Sequence, residues 1–188
     1  MSSKFTIYTT ADDCFALSDG TFNDTSDYGF LGQQSAGVTS KIWIPFIVPA
    51  WKGLQIVSAY YKVVAQASSS ANTVKVKVGC EAADNPSKPT TKNDLFARTL
   101  TTAYLTNNLV DAWTAGTEYS FDITTAVQEI LDRAGWAASN TMAVMVWDNG
   151  SSSDVQRAQS MYEHATYAPP VLEITYDAGG QVIIWRGE

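Results

Sequence analysis

One histidine, His164, and two cysteines, Cys14 and Cys80, are all that 188 residues offer for the commonest nucleophile and metal chemistry. A Ser-His-Asp or Cys-His site would have to use His164. That residue stands in Glu163-His164-Ala165-Thr166-Tyr167-Ala168-Pro169-Pro170, which reads as a loop and makes it a hydrogen-bonded loop residue. None of the patterns G-x-S-x-G, H-E-x-x-H, G-x-x-x-x-G-K-[ST] or G-x-G-x-x-G occurs. The two cysteines lie far apart without C-x-x-C or zinc spacing, so two buried thiols are expected. Charge is also scarce. Charged residues make up 16% of the chain, against roughly 25% in an average soluble domain, which disfavours a coiled coil or a long amphipathic helix. Positive charge is scarcest: 12 basic residues face 19 acidic ones, for a net charge of −7. Phosphate backbones need clustered Lys and Arg, and the densest basic feature is Lys75-Val76-Lys77. Nucleic acid and anionic membrane surfaces are therefore excluded as expected partners. No apolar run reaches the roughly 18 residues of a membrane span. The opening Met1-Ser2-Ser3-Lys4-Phe5-Thr6-Ile7-Tyr8 lacks the apolar stretch of a signal peptide, so synthesis in a cytoplasm without export is expected.

Apolar residues, by contrast, are plentiful: 45% of the chain is hydrophobic and 12% aromatic, enough for a substantial core in one domain. Their spacing is mostly two. Phe5 and Ile7, Val74, Val76 and Val78, Tyr119, Phe121 and Ile123, and Leu172, Ile174 and Tyr176 each alternate with polar residues. Such alternation marks half-buried antiparallel strands, with Val76, Phe121, Ile123, Val144, Leu172 and Ile174 on inner faces. Three runs, Ile42-Trp43-Ile44, Val57 to Val64 and Met142 to Trp147, are apolar on both faces and call for cover on both sides or a place in an interface. Turn signals such as Ser18-Asp19-Gly20, Asn85-Pro86-Ser87 and Asp148-Asn149-Gly150 separate the runs. The pattern predicts an all-β, jelly-roll-like antiparallel β-sandwich. One capping helix is expected over about 125–134, because Val127, Ile130, Leu131 and Ala134 form one stripe. Thr125 and Gln128 form its capping box and Gly135 its left-handed stop. Residues 84–117 read as a loop-rich excursion with one short strand near Thr101–Leu105. The module is expected to occupy 1–177, with a C-terminal strand or tail at 178–188.

Several segments, in order, carry a resemblance. They are Ala11-Asp12-Asp13, Tyr28-Gly29-Phe30-Leu31-Gly32, Lys41-Ile42-Trp43-Ile44-Pro45-Phe46, Val57-Ser58-Ala59-Tyr60-Tyr61-Lys62, Tyr119 to Val127, Arg157 to Glu163, and Ala168 to Tyr176. This series resembles the DNRLRE-type β-sandwich modules over about residues 5–177. The segment Trp113 to Tyr119, with Arg133-Ala134-Gly135-Trp136, looks closest to variants in tailed-phage and prophage structural reading frames. The resemblance implies a jelly-roll-like and usually non-catalytic module, found appended to secreted proteins and in some cases binding polysaccharide. Two features depart from the secreted relatives: the module stands alone without a signal peptide, and the tail extends past the last strand of the pattern.

Three sets of candidate contact residues follow. Asp12, Asp13, Asp19, Asp24 and Asp27 crowd a stretch without a basic residue between Lys4 and Lys41. Calcium takes six to eight oxygen ligands, so Asp12, Asp13 and Asp19 are candidate calcium ligands, with solvated turn residues as the simpler reading. Paired carboxylates that could hydrolyse glycosides are not distinguishable from polar strand faces, and no enzyme is expected. Of six tryptophans, Trp43 and Trp147 lie in two-sided apolar strands and read as core, and Trp136 packs on the helix end. Trp51, Trp113 and Trp185 lie in loops or the tail and are the candidate stacking contacts. Finally, Gln181-Val182-Ile183-Ile184-Trp185-Arg186 follows Gly179-Gly180 as an extra apolar strand, and Ile183 and Trp185 are its contact residues. It either folds back onto its own sheet or pairs with another chain. The reading as a whole is a non-enzymatic virion structural protein, a phage capsid-decoration, fibre or tail component. It would act through self-association or by binding other virion proteins. A carbohydrate-binding or adhesion module is the alternative.

Overall fold

The alternating segments form the strands of two packed antiparallel sheets in the computed structural model, which describes residues 2–35, 37–49 and 51–177. The smaller sheet contains β1 (Ser2–Tyr8), β6 (Gln55–Val64), β9 (Glu118–Asp122) and β12 (Val171–Asp177), in the order β1-β12-β6-β9. The larger sheet contains β2 (Cys14–Leu17), β3 (Phe22–Asn23), β4 (Tyr28–Ser35), β5 (Val38–Ile47), β7 (Val74–Cys80), β8 (Leu105–Leu109), β10 (Thr141–Asp148) and β11 (Gln156–Ser160). Its main path runs β11-β4-β5-β10-β7-β8, and β2 pairs with both β3 and β5. Among the described residues there are also two short helices, α1 (Lys92–Ala97) and α2 (Thr124–Leu131).

The six residues assigned to inner faces, Val76, Phe121, Ile123, Val144, Leu172 and Ile174, are all buried in the core between the sheets. The two-sided runs have a specific cause. Ile42, Ile44, Val144 and Val146 face that core, while Trp43, Ala143 and Met145 point to the other face of the larger sheet. There they meet Cys14 and Ala16 of β2 and Leu95 of α1, which form a second, smaller apolar cluster. The Val57 run behaves differently. Ile56, Ala59, Tyr61 and Val63 are buried, but Val57 is 55% exposed. The β12–β6 register steps from Thr175↔Ser58 to Tyr176↔Ile56, so Val57 is the unpaired residue of a bulge and turns outward.

Both helices depart from expectation. The loop-rich excursion contains α1, whose N-cap Thr91 accepts a hydrogen bond from Asp94 N at 3.1 Å. Its strand lies at Leu105–Leu109, beyond Thr101. The second helix begins at Thr124 and ends at Leu131, earlier than 125–134. Gln128 does not close a capping box. Its Oε1 accepts from Ile56 N at 2.8 Å and its Nε2 donates to Leu54 O at 3.1 Å, tying the helix to β6. Asp122 Oδ1 instead accepts from Thr124 N at 3.0 Å. Gly135 has no left-handed φ. Its lack of a side chain matters for another reason: a Cβ there would meet the Asp84 carboxylate at 2.0 Å, the same carboxylate that pairs with Arg133. Ala126, Val127, Ile130 and Leu131 bury the apolar stripe against β6 and β7, one strand from each sheet. The helix thus closes one open side of the sandwich.

A buried ionic network holds α1 on the larger sheet. Glu81, 6% exposed, accepts from Trp43 Nε1 at 2.7 Å and from Arg98 Nη1 at 2.8 Å. Arg98 also grips Asp94 with two bonds, at 2.9 and 3.1 Å, which hold the Asp94 carboxyl below its ordinary range. Removing one partner of a buried pair strands the other charge. Arg98→Ala should therefore cost about 2–3 kcal/mol in urea unfolding, below the fully buried range of about 3–5 kcal/mol, because the Arg98 side chain keeps 16% exposure. Glu81→Gln in the same background should recover part of that loss.

Candidate functional site

The acidic stretch does not converge. Asp12 is exposed, with Lys88 Nζ 3.9 Å from its Oδ1, and Lys88 pairs more closely with Asp24 at 3.1 Å. Asp19 is exposed and accepts from Thr21 N at 3.0 Å, a turn bond that lowers its pKa. Asp13 is buried, and its Oδ2 accepts from Tyr162 N at 2.9 Å. Among the described residues, no group of three or more His, Cys, Asp or Glu side chains could hold a metal ion. The calcium expectation for Asp12, Asp13 and Asp19 is corrected accordingly: one is a turn residue, one faces a lysine, and one points into the protein. A melting curve should not move when a chelator is added, nor when excess calcium follows. A rise of about 2.7 kcal/mol in stability at calcium 100 times its dissociation constant would contradict this.

Asp13 is instead a buried carboxyl. Burial pushes its pKa from 3.8 to about 7, and the neighbouring Glu163 adds to the rise. Its Oδ1 has no hydrogen-bond partner among the described residues. Nearby, the buried Tyr61 hydroxyl accepts from Gln159 Nε2 at 2.6 Å, and burial raises the phenol pKa. Cys14 and Cys80 are both buried and free, and desolvation raises both thiols, which makes them unreactive packing residues. His164 serves its own loop. Its Nδ1 accepts from Thr166 N at 3.1 Å and Tyr167 N at 2.9 Å, and its ring stacks on Tyr167.

The tryptophans proposed as stacking platforms are also corrected. Trp51 is 1% exposed, packed between Phe5 and Tyr176 at ring separations of 5.2 and 5.4 Å. Trp113 is 3% exposed and lies flat on Tyr119, 4.3 Å away. Both stand outside the strands, but their segments fold back over the core and bury the rings. Trp43 and Trp136 are buried as expected. Trp147 is half-buried, with Lys41 Nζ 3.5 Å from its ring centroid. Burial lowers the Lys41 pKa to about 8, and the ammonium also donates to Phe96 O at 2.9 Å. Trp185 and Ile183 lie outside the described residues.

Two recesses of the described residues bear on the candidate contacts. One, of about 250 Å³, is lined by Ser68, Ser69, Ser70, Asn72, Asp154 and Arg157, among others. Arg157 is buried, and its guanidinium donates to the carbonyls of Asn72, Leu109, Asp111 and Gln156. It thereby ties together the segments at Asn72, Leu109–Asp111 and Gln156. The other recess is an apolar groove of about 290 Å³ lined by Phe5, Thr6, Ile7, Tyr8, Ile47 and Pro49. It lies where β1, one of the two end strands of the smaller sheet among the described residues, approaches the end of β5 in the larger one. Tyr8 and Ile47 are 62% and 48% exposed there. Sequence reading identified the alternation of β1 but not this groove, because Ile47 and Pro49 reach it only through the packing of the two sheets.

No protein-family model matches the chain, and no curated protein matches it. The class established by the fold is an antiparallel β-sandwich, and an apolar groove lies at its β1 edge.

Proposed function

We propose that this chain is a non-enzymatic structural module of a virus particle, a phage capsid-decoration, fibre or tail component that works by self-association or by binding the particle surface. The observation that carries this reading is the apolar groove on an outermost strand. Exposed Tyr8 and Ile47 beside half-buried Phe5 and Ile7 form a patch suited to contact with protein. The resemblance to DNRLRE-type modules of tailed-phage reading frames supplies the setting. The carbohydrate-binding alternative has less support, because Trp51 and Trp113, the rings it would stack sugars on, are buried. Antibodies raised against the chain should label purified particles of the source virus in negative-stain images, and particles made without it should lose the corresponding density. Labelling confined to free protein in the lysate, with unchanged particles, would overturn the proposal.

A further inference from the structure

Resting on that reading of a self-associating module, we infer that the outer face of the larger sheet around Trp147 docks a second copy of this chain, through the copy's acidic rim at Asp27 and Glu163. Lys41, Trp147 and Lys77 stand directly opposite one another on β5, β10 and β7, so their side chains share one face. Lys75 lies two residues along β7, on that same face. Aromatic rings lie beside the ammonium groups. Lys41 Nζ is 3.5 Å from the Trp147 ring centroid, and Lys77 Nζ is 5.1 Å from that of Tyr104. Lys92 of α1 joins the group, since its Nζ and that of Lys41 lie 5.4 and 4.8 Å from the Phe96 ring. The rings and the Phe96 carbonyl attract these cations without cancelling their charge. At pH 7 Lys41 remains predominantly charged, its pKa being about 8. Among the described residues, none of Lys41, Lys75, Lys77 and Lys92 pairs with a carboxylate, whereas Lys4, Lys62, Lys88, Arg98 and Arg133 all do. Glu81 and Asp94, the acids of the neighbouring network, are turned to Arg98. A chain of net charge −7 thus gathers its unpaired lysines on one aromatic-lined face.

The complementary surface is on the same chain. Tyr162 N bonds to Asp13, and Met161 N donates to Asp27 O at 3.0 Å, which places Asp27 and Glu163 at one loop next to Asp12 and Asp13. Asp12, Asp27 and Glu163 are exposed. Among the described residues, Lys88 is the one cation that pairs with this rim, and it is already shared by Asp12 and Asp24. Both patches belong to the described surface of one copy, and no ion pair joins them. A chain therefore does not satisfy these lysines with its own rim, and a second copy brings the charge that they lack. Net charge −7 on each copy opposes approach. At physiological salt, however, exposed charges farther apart than about 8 Å are largely screened. The groups that face one another decide the contact, and they favour lysine face against acidic rim.

The test uses the full chain at pH 7. Sedimentation equilibrium should show self-association that weakens as sodium chloride is raised. It should be at least about tenfold weaker in two separate double variants, Lys75→Ser with Lys77→Ser on the face and Asp27→Asn with Glu163→Gln on the rim. All four side chains are exposed or half-buried, so neither melting curve should fall below the parent's. Mixing the two variants should restore association as a one-to-one complex, because the first keeps an intact rim and the second an intact face. Two misfolded proteins would not complement each other in this way. Parent association that resists salt and both pairs of substitutions overturns this inference and leaves self-association through another surface intact. Loss in the lysine variant alone, with no recovery on mixing, gives the face to a different anion and also overturns it. A parent that stays monomeric at every concentration and salt overturns the inference together with the self-association it rests on, whereas particle labelling still tests the virion reading.

Discussion

Asp13→Asn should stabilise the protein at about pH 8 by roughly 4 kcal/mol and change little near pH 4. In the folded chain the Asp13 carboxyl keeps its proton up to about pH 7, because burial disfavours the charge, whereas its ordinary pKa is 3.8. Between these two values the folded state binds one proton more than the unfolded state. Stability then falls as pH rises, at a rate set by that extra proton. The contribution is intact below about pH 4 and lost above about pH 7. Asp94, Glu129 and Glu173 have lowered pKa values, so what they contribute disappears only as pH falls below the ordinary carboxylate range. Their effect therefore lies below the range in which Asp13 acts. Asn keeps an acceptor for Tyr162 N and offers a donor toward Glu163, so the substitution removes the charge without opening a hole. Urea unfolding of parent and variant across this range reads the difference directly. Parallel curves for the two proteins would show that Asp13 titrates normally and that its burial has no energetic consequence.

Phe121→Ala should cost about 3–5 kcal/mol, the range for deleting a large buried ring. Phe121 is 1% exposed and stacks on Tyr61 at 6.1 Å, directly across from it in the β6–β9 ladder. Loss of the ring would leave a void between the two sheets that the ladder holds open. Ser120→Ala, at the exposed neighbouring position, should stay within about 0.5 kcal/mol. The contrast tests register, since a one-residue slip of β9 would exchange the two environments. A loss below about 1 kcal/mol for Phe121→Ala would place the ring outside the core.

Phe121 also shows why much of this fold was legible beforehand. A strand buried on one face writes its period into the sequence, so β1, β7, β9 and β12 could be read from neighbours alone. The successive apolar residues of β5 and β10 correctly announced cover on both faces, although not its source. That source, α1, has six residues and one fully buried side chain, Leu95, too little for a helical stripe. Gln128 fitted a local capping pattern, but its partners in space are Leu54 and Ile56, more than seventy positions away. The same distance effect hid the sites. Asp13 looks like its acidic neighbours in sequence, and its hydrogen-bond partner, Tyr162, stands 149 residues further on. Position outside a strand made Trp51 and Trp113 look available, yet a large ring next to a core lowers its free energy by folding back over it. The groove at β1 is likewise a product of two sheets meeting.

The pairing of Ser2 with Asp177 has a mechanical consequence. Force entering at one of these residues and leaving at the other pulls apart the same end of two antiparallel neighbours. The inter-strand bonds lie across the strands, so such traction would break them one rung after another, from Ser2–Asp177 towards Tyr8–Val171. A zipper opened in this way resists little. Tension carried across the faces of the sheets, by contrast, would load many contacts at once. Load passed through Ser2 and Asp177 would therefore meet less resistance than load spread across the faces of the sheets.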